Sequence, residues 1–172
     1  MGVECKADEV CLQEPPRERG GFVISHSAYE IRKRQRVWTA IRKGCGLVVD
    51  ERTDLSRAAN DDVIVTDFRR RGEKISRIVN VYDQRDTQLG ERQAQKVNWQ
   101  RVIQQGGTVL AGDFNAHSSR WDLWCRAQRD AAFWEAVIDE NGLEIGNDGR
   151  STHYWPREDH EGELVIDLTL AN

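Results

Sequence analysis

The chain has 172 residues, of which 38% are hydrophobic and 31% charged, with a formal net charge of −4. That is enough polypeptide for one domain with a sizeable core and too little for two comfortable ones, so residues 1–172 are expected to fold as a single unit. No apolar run approaches a membrane span, and the opening MGVECKADEV carries charges where a signal peptide needs an apolar core, which predicts no signal peptide, no membrane partner and an intracellular location.

In chain order, EVCLQ at 9–13 is a short apolar run stopped by Pro15–Pro16 and reads as a buried strand followed by a loop. RVWTAIRKG at 36–44 alternates, with Val37, Thr39 and Ile41 on one side. GLVVDE at 46–51 follows a glycine turn, so these two segments are expected to form a hairpin. DVIVTDF at 62–68 and KISRIVNVY at 74–82 flank the turn RRRGE and predict a second antiparallel pair. Between 86 and 105 the spacing becomes helical, running through Leu89, Gln93, Lys96, Val97, Gln100 and Ile103 until Gly106 and Gly107 end it.

A strand at 108–112 comes next, then a Trp-rich loop, SSRWDLWC, and then a helix over 127–140 whose apolar stripe is Phe133, Trp134, Val137 and Ile138. LEIGN, STHYW and ELVIDLTLA read as short strands. Antiparallel pairs interrupted by helices that must cover apolar faces predict an α/β or α+β sandwich, with stacked sheets inside and helices outside.

Cys5, Cys11, Cys45 and Cys125 are scattered without a C-x-x-C pair, which signals neither a zinc cage nor a disulfide framework. Charge is unevenly spread. From Ile31 to Val49 there is no acid, while Arg32, Lys33, Arg34, Arg36, Arg42 and Lys43 fall in that interval, and a second basic cluster runs through Arg69, Arg70, Arg71, Lys74 and Arg77. Each is either a solvated strand face or a surface that tracks phosphates.

The stretch TVLAGDFNAH (108–117) ends an apolar strand in an acid and an amide separated by one phenylalanine. Gly112 frees the backbone there. If the chain stays extended, Asp113 and Asn115 project to the same side; the alternative is an Asx turn, common at strand ends. Acids and amides close strands at three further places: Glu14 after VCLQ, Asn80 and Tyr82 in SRIVNVY, and Asp167 in VIDLTL. Each alone has a plain structural explanation, but residues at one rim of a sandwich converge although they are far apart in sequence. Hard oxygen ligands without nearby Cys suit Mg²⁺ or Mn²⁺. A carboxylate, an amide and such an ion would supply what phosphodiester cleavage needs: an activated water, neutralised phosphoryl oxygens and help for the leaving oxygen.

GDFNAH (112–117), with LQEP (12–15) and VNVY (79–82) before it and IDLTLAN (166–172) after it, resembles the endonuclease/exonuclease/phosphatase superfamily. More closely, the chain is similar to the endonuclease domain of LINE-type retrotransposon polyproteins, particularly fungal ones. The resemblance implies a four-layered α/β sandwich of two stacked, mostly antiparallel sheets, here incomplete at both termini. It also implies a Mg²⁺- or Mn²⁺-dependent nuclease that nicks one DNA strand to prime reverse transcription, with DNA as partner, a fused reverse transcriptase in the parent polyprotein and a nuclear place of action. By resemblance, Glu14 matches the metal-binding glutamate, and Asp113 the aspartate that orients or deprotonates the attacking water. Asn115 matches the amide that holds a phosphoryl oxygen, Tyr82 the tyrosine at the scissile phosphate and Asp167 the aspartate that orients a catalytic histidine. Asn80, two residues before Tyr82, His117, Arg34, Arg36 and Trp121 are the candidate nucleic-acid contacts; Trp121 and Trp124 either wedge against unstacked bases or pack beneath the loop.

The chain departs from the family pattern at both ends, lacking the opening strand with an active-site asparagine and the closing Ser-Asp-His. No other histidine is expected to replace that one: His26, His153 and His160 have nothing around them in sequence that demands catalysis. The loop HYWPREDHEG (153–162) has no standard metal-ligand spacing and reads as a solvated turn. The chain alone is therefore expected to have lost much of its activity. The alternatives are a non-catalytic remnant of a mobile element that at most binds nucleic acid, and a phosphomonoesterase of the same superfamily.

Overall fold

The computed structural model describes residues 7–15, 27–34, 36–57, 62–70, 73, 76–84, 92–125, 130–156 and 161–172. Arg71, Lys74, Leu89, Asp159, His160 and the first turn expected for the second helix lie outside them.

Two sheets face each other. The smaller holds β1 (Glu9–Gln13), β2 (Tyr29–Lys33) and β3 (Val37–Arg42) in the order β1-β3-β2, all antiparallel. The larger has six strands, β4 (Val48–Glu51), β5 (Val63–Arg69), β6 (Ser76–Tyr82), β7 (Thr108–Asp113), β8 (Glu144–Ile145) and β11 (Asp167–Ala171), ordered β4-β5-β6-β7-β11-β8. Its β6–β7 pair is parallel. The crossover between them carries a 3-10 turn, Gln93–Lys96, and α2 (Trp99–Val102). A short helix, α1 (Thr53–Ser56), follows β4, and α3 (Ala131–Asn141) follows the Trp-rich loop. The remaining strands, β9 (His153–Pro156) and β10 (Glu161–Leu164), form a separate two-stranded ribbon.

Period-2 alternation divides the large sheet. Val63, Val65, Val79, Val81, Leu110, Leu168 and Leu170 point to one face and pack with Leu55, Trp99, Val102, Trp134, Val137 and Ile138 from the helices. The stripe on α3 at Ala131, Trp134, Val137 and Ile138 is the buried one, and Gly142 at φ +61° ends the helix. Ile64, Asn80 and Tyr82 point the other way, toward Val37 and Thr39 of the small sheet. The sandwich is thus an α/β architecture of two stacked sheets with helices outside, as the strand pattern led one to expect. No helix among the described residues is long and apolar enough to cross a membrane.

Four details differ from the sequence-based expectation. Segments 36–44 and 46–51 do not form a hairpin: β3 pairs with β1 and β2, while β4 crosses to the other sheet and pairs with β5. Alternation reports which face of a strand is buried, and says nothing of its neighbour. Strand β2 was not expected at all, because the basic composition around YEIRK hides its alternation. The helix over 86–105 is broken into the 3-10 turn and α2, the latter capped by the Asn98 side chain accepting from the Arg101 N–H at 3.2 Å. ELVIDLTLA splits between β10 and β11, which pair with different partners.

At Gly112 (φ +148°) the backbones of β6 and β7 approach so closely that a Cβ would lie 1.9 Å from the Val81 carbonyl oxygen. Gly112→Ala is therefore expected to cost at least about 3 kcal/mol, because the obstacle is backbone that cannot rotate away. Urea denaturation, or loss of the soluble fold altogether, would register it.

Candidate active site

The register of three adjacent strands builds the site. Tyr82 on β6 stands opposite Asp113 on β7, and Asp113 opposite Asp167 on β11. Residues so paired share one face, and here it is the face that looks toward the small sheet. From that sheet Glu14, the first residue past β1, comes over the same rim. Its backbone turns at φ +43° with its N–H donating to the Arg36 carbonyl at 2.9 Å, and its carboxylate accepts from the Tyr82 hydroxyl.

Electrostatics record the convergence. Burial pushes the Asp113 carboxyl up to about 6, and the nearby Asp167 and Glu14 carboxylates push the same way; the Asn115 N–H and His153 pull it back only in part. Asp167 is also raised, chiefly by burial, against the opposing pull of a Thr152 hydrogen bond and of His153. The Tyr82 hydroxyl is held protonated above its ordinary value, first by burial and then by Glu14. Three acids from three elements therefore face a shared space with one imidazole as cationic counterpart.

Asn115 does not extend the strand. β7 stops at Asp113, whose Oδ1 accepts from the Asn115 N–H at 2.9 Å, and Asn115 sits at φ +45°, so the local geometry is the Asx turn. Phe114 between them is fully buried on the helix side, edge-on to Trp134 at 4.5 Å. That anchoring explains the single apolar residue between acid and amide. The loop is then clamped by Arg92, which is 5% exposed: it donates to the carbonyls of Asp83 (3.2 Å), Phe114 (3.3 Å) and Asn115 (3.0 Å) and pairs with Asp83 (2.6 Å) and Asp130 (2.8 Å). Trp134 Nε1 donates to the same Asp83 carboxylate at 2.7 Å. Sequence reasoning passed over Arg92 and Asp83, since nothing local distinguishes a buried arginine from a surface one.

Several candidate DNA contacts are placed elsewhere. Asn80 is 1% exposed and joins the sheets: its Nδ2 donates to the Trp38 carbonyl (2.8 Å) and its Oδ1 accepts from Gln13 Nε2 (2.7 Å). It is a positioning residue, not a contact. Trp121, 3% exposed, donates from Nε1 to the Ala116 carbonyl at 3.1 Å and packs beneath the loop, so it cannot wedge against bases. Arg34 pairs with Glu51 (2.5 Å) and Arg36 with Asp62 (2.5 Å), each pair linking chain next to the small sheet with chain of the large one. Arg36 also lies 5.8 Å from the Tyr82 ring centroid, at the rim of the site. Arg32 pairs with Glu30, Arg42 with Asp8, and Lys33 stacks on Trp38. The acid-free interval is thus neutralised by acids from outside it and offers no continuous phosphate track. Arg77, 2% exposed, forks onto Asp67 inside the protein. His117 is half-buried just beyond Asn115.

His153 is the residue that the sequence gave no reason to choose. It begins β9, and Thr152 before it accepts the Asp167 N–H on its hydroxyl at 3.0 Å, which brings the imidazole within electrostatic reach of Asp113 and Asp167.

Among the described residues, no three or more His, Cys, Asp or Glu side chains group as a metal cage. The donor set nevertheless fits a hard cation that takes one or two carboxylates and keeps its waters, because the mutual repulsion raising Asp113 is what such an ion relieves.

A two-sheet α/β sandwich with acids from separate strands gathered at one rim defines the class. The model of the family described as endonuclease-reverse transcriptase matches residues 76–172, and the chain belongs to that family. The fold is similar to that of the endonuclease domain of TRAS1, a telomere-specific non-LTR retrotransposon. The TM-score is 0.72 at 19% sequence identity, over 96% of this chain and 73% of that one. No curated protein sequence matches the chain.

Two stability measurements follow from the geometry. Because Asp113 is raised in the folded state, the native protein holds its proton more tightly than the unfolded chain does. Stability from this group is full below about pH 4 and is lost as pH rises through about 6. Asp113→Asn should therefore raise the melting temperature at pH 7.5, by on the order of 1–2 kcal/mol after allowing for solvent screening, and leave it unchanged near pH 4. Arg92→Met should cost about 3–5 kcal/mol in urea denaturation, since it leaves Asp83 buried without its cation.

Proposed function

We propose that the chain is a metal-dependent DNA endonuclease of retroelement type, one that nicks a single strand and leaves a 3′-hydroxyl from which a reverse transcriptase can prime. The observation that carries this reading is the convergence of Glu14, Tyr82, Asp113 and Asp167 from four elements onto one rim, in a chain of the endonuclease-reverse transcriptase family. The likeness to the TRAS1 endonuclease domain supports DNA as the partner.

In this reading Asp113, ionised above about pH 6, orients the attacking water and takes its proton. The amide of Asn115, held by the turn and by Arg92, donates to a non-bridging phosphoryl oxygen. Tyr82, kept protonated, donates to the same phosphate. His153, oriented beside Asp167, donates a proton toward the leaving oxygen, a role the family assigns to a histidine of the missing Ser-Asp-His. Glu14, with Asp113 beside it, would hold Mg²⁺ or Mn²⁺. Bound there, the ion would neutralise charge on the phosphoryl oxygens and lower the pKa of a water. A fused reverse transcriptase and a nuclear place of action belong to the same proposal.

Supercoiled plasmid incubated with the purified chain in Mg²⁺ should convert to the open circle, and EDTA should stop it. Asp113→Ala and Asn115→Ala should each lower the rate by about 10²–10³-fold, and His153→Ala by about 10²-fold. Nicking that Asp113→Ala leaves unchanged, or no nicking at all, overturns the reading.

A further inference from the structure

Beyond the acidic rim the Trp-rich loop carries an exposed aromatic that packing does not explain. Trp124 is 85% and Leu123 80% exposed; Val48 is the sole other exposed large hydrophobic residue among those described. The turn is nonetheless firmly rooted. Asp122, 3% exposed, accepts the Trp124 N–H on Oδ1 (3.0 Å) and the Val165 N–H on Oδ2 (3.4 Å), while its carbonyl accepts from the Cys125 N–H (3.0 Å). One buried carboxylate thus fixes Trp124 relative to the stretch that leads, two residues on, to Asp167.

Between these elements opens a cleft of about 620 Å³, with Trp124 on one wall, Leu164 and Val165 at its floor, and Arg150 and Ser151 opposite. Ser151 Oγ donates to the His153 and Leu164 carbonyls (3.0 and 3.2 Å), so that wall adjoins the histidine of the site. Arg150 is 87% exposed and pairs only with the exposed Asp148 at 3.1 Å, an association a phosphate can displace at little cost. A flat aromatic, an apolar floor and a guanidinium at the mouth match one nucleotide: the base stacks, and its phosphate meets the arginine.

We propose that this cleft holds one unstacked base of the DNA strand next to the cleavage site, with Trp124 as stacking platform and Arg150 as phosphate clamp. The inference rests on the reading that the neighbouring site acts on DNA. It also supplies a grip on the strand that the ion-paired arginines near β2 and β3 do not.

The test is fluorescence anisotropy of the full chain with a labelled oligothymidylate and with an abasic oligomer of the same length, both in EDTA so that no cleavage intervenes. Trp124→Ala should weaken binding of the base-bearing oligomer about 5- to 100-fold and leave the abasic one unchanged, while Trp124→Phe stays within about threefold of the unsubstituted chain. Trp124 is exposed, so neither variant threatens the fold. Equal affinity for the two oligomers, an unaltered Trp124→Ala, or no oligonucleotide binding overturns the proposal. Trp124-dependent binding by a chain that never nicks plasmid retains the cleft and sinks only the nuclease reading. Nicking with Trp124-independent binding does the reverse.

Discussion

Within the candidate site, geometry is imposed by the Arg92 guanidinium, which takes in the end of β6 through Asp83, the turn after β7 through the Phe114 and Asn115 carbonyls, and the start of α3 through Asp130. A buried cation with that many acceptors is costly to disturb, because each carbonyl and carboxylate it leaves would stay dry and unpaired. Phe114 and Trp134 complete the clamp from the apolar side. The Asp-Phe-Asn order is therefore a mechanical arrangement: the phenylalanine is the peg, the acid faces the rim, and the amide is presented by a turn whose backbone Arg92 holds.

The same economy of charge runs through the molecule. Arg34 and Arg36 link the sheets, Arg77 is buried on Asp67, and Asn80 spans the space between the two sheets with its amide. Basic residues that would otherwise face solvent are spent on cohesion. Repulsion is concentrated at the rim, where Glu14, Asp113 and Asp167 oppose one another. Keeping an acid raised above its ordinary value lowers stability at neutral pH, and a protein tolerates that where the strained group has work to do.

Much of this was legible in the residues. The strands at 9–13, 62–68 and 108–112 and the apolar stripe of α3 follow from periodicity, and the site acids all stand at strand ends, where turn chemistry and apolar runs mark them. Pairing was less legible. GLVVDE looks like the second arm of a hairpin and is the edge of the other sheet, because alternation is blind to the neighbour across the hydrogen bonds. The acid-free stretch looked like a phosphate track until Glu51, Asp62 and Asp8 arrived from other segments.

By itself the sequence determined the local chemistry: which residues are acids and amides at strand ends, that Gly112 must be glycine where the strands meet, and that the family is a retroelement endonuclease. Tertiary structure alone decided which of those groups meet. Asn80 and Trp121 were drawn inside and His153 was brought to the rim, because burial and proximity depend on long-range pairing, and no residue carries a record of what will be packed against it.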